Sequence, residues 1–197
     1  PSGIVVAGGN GKGAELYQLD LPHRVSIDSD ENLFVADYHK HRVVKWAPDA
    51  TSGILVAGGN GRGKKLHQLS LPEGVAIDSN MNLFVADVNN HRVVKWPPGA
   101  TSGVVVAGGN GQGSRRDQLF KPSGVAVDSE QNVFVADSFN HRVVKWVPDA
   151  TSGVVVAGGN GWGSGRHQLG YPVDVAVDSE KNRLGSRTRS VELTSKV

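Results

Sequence analysis

The chain contains no cysteine, which excludes disulfides, thiolate metal sites and Cys nucleophiles. No apolar run approaches the ~18 residues a membrane-crossing helix needs, so no membrane contact is expected. Asn-x-Ser/Thr is missing, and with it any N-glycosylation acceptor. No Gly-x-Ser-x-Gly elbow presents a nucleophilic serine. No helical periodicity appears in the repeats. The net charge of +2 hints at a polyanion partner, but residues 181–197 hold five Lys/Arg and one Asp/Glu. The remainder carries 16 basic against 18 acidic side chains, a net of −2, so the basicity belongs to the tail.

What the chain does have is a repeat. Copies begin at Gly3, Gly53, Gly103 and Gly153, fifty residues apart, with no insertion or deletion. Fixed periods of this size mark solenoids and propellers, in which one unit cannot bury its apolar face alone. Within the third unit four short β signals follow one another: 124–128, 132–137, 141–146 and 153–157. Each is rich in Val, Phe or Trp, and each is bounded by Asp, Ser, Asn, Pro or Gly. The short gaps make hairpins, and residues 158–172 carry the chain to the next unit. A four-stranded antiparallel sheet repeated in this way is a β-propeller blade. Units are expected near 24–57, 74–107 and 124–157, with partial ones at 3–7 and 174–182. The fold class is therefore all-β: an incomplete ring of three full blades plus a single strand at each end. Glycine, at 26 residues, recurs at fixed turn positions.

Asn-His-Arg-Val at 90–93 and 140–143, preceded by Val-Ala-Asp and followed by Val-Lys-Trp, resembles the NHL repeat. So does the Pro-x-Gly-Val-Ala-[Ile/Val]-Asp-Ser of 72–79 and 122–129. The resemblance covers residues 1–182. WD40 fits less well, because Trp46, Trp96 and Trp146 are followed by Ala, Pro and Val. Kelch fits less well because the Gly-Gly pair leads into Asn-Gly. The first copy departs in carrying Lys40 before His41. The fourth tracks the others to Asn182 and then breaks off, leaving 183–197 as a non-repeat basic tail. The chain begins with Pro1 inside a repeat, so it reads as an excerpt of a longer propeller; relatives usually have about six blades, as the resemblance implies.

Several groups invite chemistry. His41, His91 and His141 recur once per unit, and three imidazoles would make a zinc set. The resemblance adds weight, since NHL-like amidating lyases hold a metal in their channel. Their identical contexts favour a structural role instead: an Asp–His hydrogen bond from Asp37, Asp87 or Asp137 four residues upstream. Trp46, Trp96 and Trp146 are read as structural repeat positions too. The Asp-Ser-x-x-Asn turns at 28–32, 78–82, 128–132 and 178–182 supply oxygens, but closing their own turn explains them. Residues 58–65 approach a Walker A loop, yet no Ser/Thr follows the Lys and no helix receives a phosphate. No catalytic residue, metal or cofactor is expected.

Variation between copies is the remaining signal. The second-to-third loops and the blade connections are expected on one face, where they differ from copy to copy. The opposite face is monotonous and mildly acidic. Candidate partner-binding residues are Tyr38, His39, Arg62, Lys64, Lys65, Arg115, Arg116, Phe139 and Trp162. The leading reading is a non-catalytic scaffold engaging a protein partner. Relatives with this repeat act as interaction platforms, including in ubiquitin ligases, where the repeats recognise substrate. A second reading is single-stranded RNA binding by Arg62, Lys64, Lys65, Arg115 and Arg116, with Tyr38 and Phe139 as stacking groups. A third, a metal-dependent lyase or lactonase in the channel, needs an asymmetric ligand set. Open sheet edges also imply self-association.

Overall fold

The computed structural model describes residues 3–178 and the backbone of residues 191–195. The first blade comprises β1 (Pro22–Ile27), β2 (Leu33–Asp37), β3 (Arg42–Trp46) and β4 (Ile54–Gly58). The second comprises β5 (Pro72–Ile77), β6 (Leu83–Asp87), β7 (Arg92–Trp96) and β8 (Val104–Gly108). The third comprises β9 (Pro122–Val127), β10 (Val133–Asp137), β11 (Arg142–Trp146) and β12 (Val154–Gly158). In each sheet the strands lie in chain order and are antiparallel. Proline opens every inner strand, the one strand position where a missing N–H costs least.

The all-β fold of three four-stranded blades is as expected, and the two ends differ from it in detail. Residues 3–7 pair with no strand, and Ile4 stands 86% exposed. At the other end β13 (Pro172–Val177) is not alone, because β14 (Val191–Ser195) pairs antiparallel with it. That segment falls in the 183–197 stretch that the sequence marks as a non-repeat tail. Its sequence, Val-Glu-Leu-Thr-Ser, alternates apolar with polar, and an unpaired inner strand offers it a ladder edge. The rest of the tail, with Arg183, Arg187, Arg189 and Lys196, lies outside the described residues.

The core lies between blades. Phe34, Ala36 and Val43 of the first blade pack on Val75, Leu83, Val85, Val94 and Trp96 of the second. Phe84 and Val93 meet Val125, Val133, Val144 and Trp146 in the same way. One face of each strand thus serves the preceding blade and the other the following one, which is why the strands read as apolar on both faces. On the first blade the face toward a preceding blade is open: Val25 is 57% exposed where Val125 is 5%. The inner strands β1, β5, β9 and β13 lie side by side around an axis. They pass so closely that a Cβ on Gly74 would fall 2.3 Å from the Ser123 carbonyl oxygen, and one on Gly124 2.6 Å from the Asp174 Cα.

Candidate functional site

Each blade carries a buried network that holds its loops in place. The Asp87 carboxylate accepts the Ser70 N–H at 2.7 Å, Arg92 Nε at 2.8 Å and Asn90 Nδ2 at 2.7 Å. The Arg92 guanidinium then donates to the carbonyls of Lys64, Lys65 and Gln68. Asp37–Arg42 and Asp137–Arg142 repeat the arrangement. Burial pushes all three carboxyls up from their ordinary value, while the guanidinium and amide donors pull the other way. The Asp–His brace expected from sequence is therefore corrected: arginine, five residues on, takes the carboxylate.

The histidines do something else. Tyr38–Lys40, Val88–Asn90 and Ser138–Asn140 are 3₁₀ turns, and each ends on the His in a left-handed conformation near φ 53–54°. This geometry turns the side chain toward the next blade. Nδ1 of His41, His91 and His141 accepts the N–H of Leu71, Lys121 and Tyr171, each at 3.2 Å. Those three residues sit at φ 56°, 49° and 45°, a conformation costing side-chain-bearing residues roughly 1–2 kcal/mol. Each histidine latches a strained entry residue of the following blade. An accepting Nδ1 requires the neutral ring, and burial lowers the pKa of His41 and His91, assisted by Arg62 and Lys121 respectively. The three imidazoles serve successive blade boundaries rather than one point. No cluster of three or more His, Asp or Glu suited to a metal occurs among the described residues.

On this scaffold a constant backbone bond presents variable side chains. The N–H of His39, Asn89 and Phe139 donates to the carbonyl of Asp20, Ser70 and Phe120 respectively, at 3.1, 3.2 and 3.2 Å. The three brackets carry different chemistry. In the first blade Asp20 is buried among Lys12 (3.3 Å), Lys40 (3.0 Å) and His39 (3.4 Å). Burial pushes its carboxyl up, but the two lysines prevail and hold it below the usual range. The second bracket is polar and carries one cation, Arg62 Nε donating to Ser70 Oγ at 3.0 Å. The third is aromatic: Phe120 and Phe139 lie 5.0 Å apart, Phe139 and Tyr171 5.4 Å, and Lys121 Nζ sits 4.9 Å over the Phe139 ring. Phe139 and Tyr171 remain 42% and 45% exposed.

The inner strands add a second asymmetry. Arg24 of β1 reaches Asp174 of β13 at 2.8 Å and the Val173 carbonyl at 3.0 Å, joining strands 150 residues apart. His23 stacks on Tyr38 at 4.2 Å and faces Glu73 at 3.7 Å. Burial, and then Glu73, raises the Tyr38 hydroxyl pKa. The Ser123 and Ser138 hydroxyls are hydrogen-bonded to each other, and Ser138 Oγ lies 2.6 Å from the Pro172 carbonyl that can accept its proton.

The residues singled out from sequence thus divide. Tyr38 and His39 belong to the first bracket, Arg62 to the second and Phe139 to the third, and Trp162 lies exposed against Gly170. Lys64, Lys65 and Arg115 give their backbone carbonyls to Arg92 and Arg142, and Arg116 gives its carbonyl to Gly153. The connections that carry them run down the rim, where the Leu66 and Arg116 carbonyls accept the N–H of Gly103 and Gly153. Those glycines precede the outer strands, at the end remote from the 3₁₀ turns. Arg115 also pairs with Asp117 at 3.3 Å. Sequence reading missed Asp20, Phe120, Lys121 and Tyr171 as individuals, and His23, Arg24, Glu73 and Asp174 altogether. The available signal was the register itself: positions 20, 70 and 120 read Asp, Ser, Phe, and positions 24, 74, 124 and 174 read Arg, Gly, Gly, Asp. The Asp-Ser-x-x-Asn turns at 28–32, 78–82 and 128–132 close on themselves as expected, Asp78 Oδ1 accepting the N–H of Asn80 and Asn82, while residues 179–182 of the one at 178–182 lie outside the described residues.

The sequence profile of the NHL repeat matches residues 19–46, 69–96 and 121–146, and these three segments are NHL repeats. No curated protein matches the chain at the level of sequence. Among solved structures, a protein of unknown function from Bacteroides thetaiotaomicron is similar with a TM-score of 0.63 and 20% identity, over 79% of this chain and 42% of that one. An auxiliary nutrient-binding protein from Bacteroides ovatus gives 0.55 and 13%, over 82% and 44%. A chain of the nidogen/laminin complex gives 0.51 and 20%, over 69% and 46%. At these identities the likeness establishes the propeller fold. The chain spans less than half the length of each.

Proposed function

We propose that this NHL-repeat chain is a non-catalytic binding module that engages a protein partner through the face carrying the three brackets. One observation carries the reading. A backbone bond identical in three blades displays a charged set, a polar pair and an aromatic pair at equivalent positions. The fold demands the bond and not the side chains, so the difference is free to encode recognition. Half-exposed rings beside a lysine are the residue types that anchor protein interfaces. Of the five basic side chains that the RNA reading uses, Arg62 donates to Ser70 and Arg115 is paired with Asp117.

A salt titration of single-stranded oligouridylate binding separates the two. Phosphate-driven affinity falls steeply with salt because counterions are released. The expected result is weak binding that disappears at physiological salt. Submicromolar, sequence-selective binding, abolished by reversing the charges of Lys64, Lys65, Arg115 and Arg116, contradicts the proposal.

A further inference from the structure

Outside the basic tail the chain carries a net charge of −2, yet the brackets hold a surplus of the opposite sign. In the first bracket two lysines meet one carboxylate. Lys12 and Lys40 both engage the buried Asp20, and the Lys12 side chain stays 73% exposed. Arg62, in the second bracket, donates to a neutral hydroxyl, and Lys121, in the third, lies over the Phe139 ring. Neither enters an ion pair among the described residues. Each stands at a blade boundary. Burial first, and then Arg62, lowers the pKa of His41 in the first blade; burial followed by Lys121 does the same to His91 in the second. The carboxylates nearest the axis face other partners: Asp174 meets Arg24 at 2.8 Å, and Glu73 faces His23 at 3.7 Å. Past Lys121 the face turns aromatic, with Phe139 and Tyr171 half-exposed and Trp162 71% exposed.

Resting on the bracket face as the partner-binding surface, we propose that the partner presents a peptide segment of spaced acidic residues adjoining aromatic ones. The carboxylates meet the surplus charge of the first bracket, Arg62 and Lys121, and the aromatic end covers Phe139, Tyr171 and Trp162. A cation with no carboxylate of its own gains one without giving up a partner, and complementary charge steers encounter and fixes register. Half-exposed rings gain burial and edge-to-face contacts from a second aromatic side chain. The spacing suits a peptide better than a nucleic acid. The surplus cations are single, one to a boundary, and the carboxylates of Asp20 and Glu73 stand among them. A phosphodiester is charged at every unit and would pass over those carboxylates, whereas a peptide can place neutral residues there.

The test titrates fluorescein-labelled Glu-Asp-Gly-Glu-Asp-Gly-Phe-Gly-Phe-Gly against the full chain by anisotropy at physiological salt. Two companions carry Lys at every acidic position or Ala at both Phe positions. The acidic peptide is expected to bind saturably, the lysine peptide at least about tenfold more weakly, and the alanine peptide about fivefold more weakly. Arg62→Gln with Lys121→Gln, which keeps length and polarity, should weaken the acidic peptide about tenfold at an unchanged melting temperature. Lys64→Gln with Lys65→Gln on the rim, and Arg187→Gln with Arg189→Gln in the tail, should change it less than about twofold, since neither pair belongs to a bracket. Four results each overturn the proposal: no saturable binding, equal binding of the lysine peptide, an affinity indifferent to the Arg62/Lys121 variant, or displacement by oligouridylate as effective as by unlabelled peptide. Should the acidic peptide fail while Phe139→Ala with Tyr171→Ala still abolishes capture of protein partners, this assignment falls and the bracket face stands.

Discussion

Arg92 and His91 are neighbours in sequence with unequal duties, and substitution separates them. Arg92→Ala strands a buried carboxylate, which typically costs about 3–5 kcal/mol. His91→Ala removes one acceptor from a half-buried N–H, about 1–2 kcal/mol. Denaturant titration of the two variants should therefore rank arginine well above histidine; the reverse order would restore an Asp–His brace. The latch also titrates. His41 and His91 have pKa values below the ordinary 6.5, so between those values the unfolded chain binds more protons than the folded one. Their contribution is complete above pH 6.5 and is lost as pH falls through the lowered values. His41→Gln with His91→Gln keeps an acceptor without the titration, and its stability should be flatter with pH than that of the native chain over this range. The aspartates and histidines were legible in sequence as repeat positions. Their partners were not, because a carboxylate five residues from an arginine and four from a histidine can reach either, and only the left-handed turn decides.

At the scale of the element, strand type and order were readable from short Val-rich runs punctuated by Asp, Asn and Gly, and the bounds fell within about two residues, as is usual. The course of the connections was not readable. Their polar, glycine-rich sequence gives no periodicity, and their path is set by carbonyls bonded to a distant arginine and to the foot of the outer strand. Glycine marks where that path is tightest. A Cβ on Gly108, at φ 66°, would fall 2.5 Å from the His91 carbonyl oxygen, whereas Gly61, at φ 75°, has nothing within 4 Å. Gly108→Ala should then cost about 2–3 kcal/mol and Gly61→Ala about 1 kcal/mol, the left-handed penalty alone. Equal melting temperatures for the two variants would show that the close approach relaxes freely.

At the scale of the whole molecule, near-identical blades make the scaffold and a few unlike residues make the face. Sequence alone showed that the loops that differ sit at one register, and the proposed face is built from them. Sequence could not show which variable residues meet, since Asp20 and His39, or Phe120 and Phe139, lie nineteen residues apart in sequence and join only through a bond between loops. The Arg24–Asp174 pair across the axis was invisible for the same reason. The most direct test makes the third blade's display identical to the second's: Phe120→Ser, Lys121→Leu, Phe139→Asn and Tyr171→Leu. These are the residues already found at 70, 71 and 89, and the Asp–Arg–His network is untouched. Quantitative affinity capture from cells that make the protein, alongside thermal melting, reads the outcome. The melting temperature should stay within a few degrees while protein partners captured by the native chain are lost. Partners retained in full by this variant, with the fold intact, would contradict recognition through the brackets.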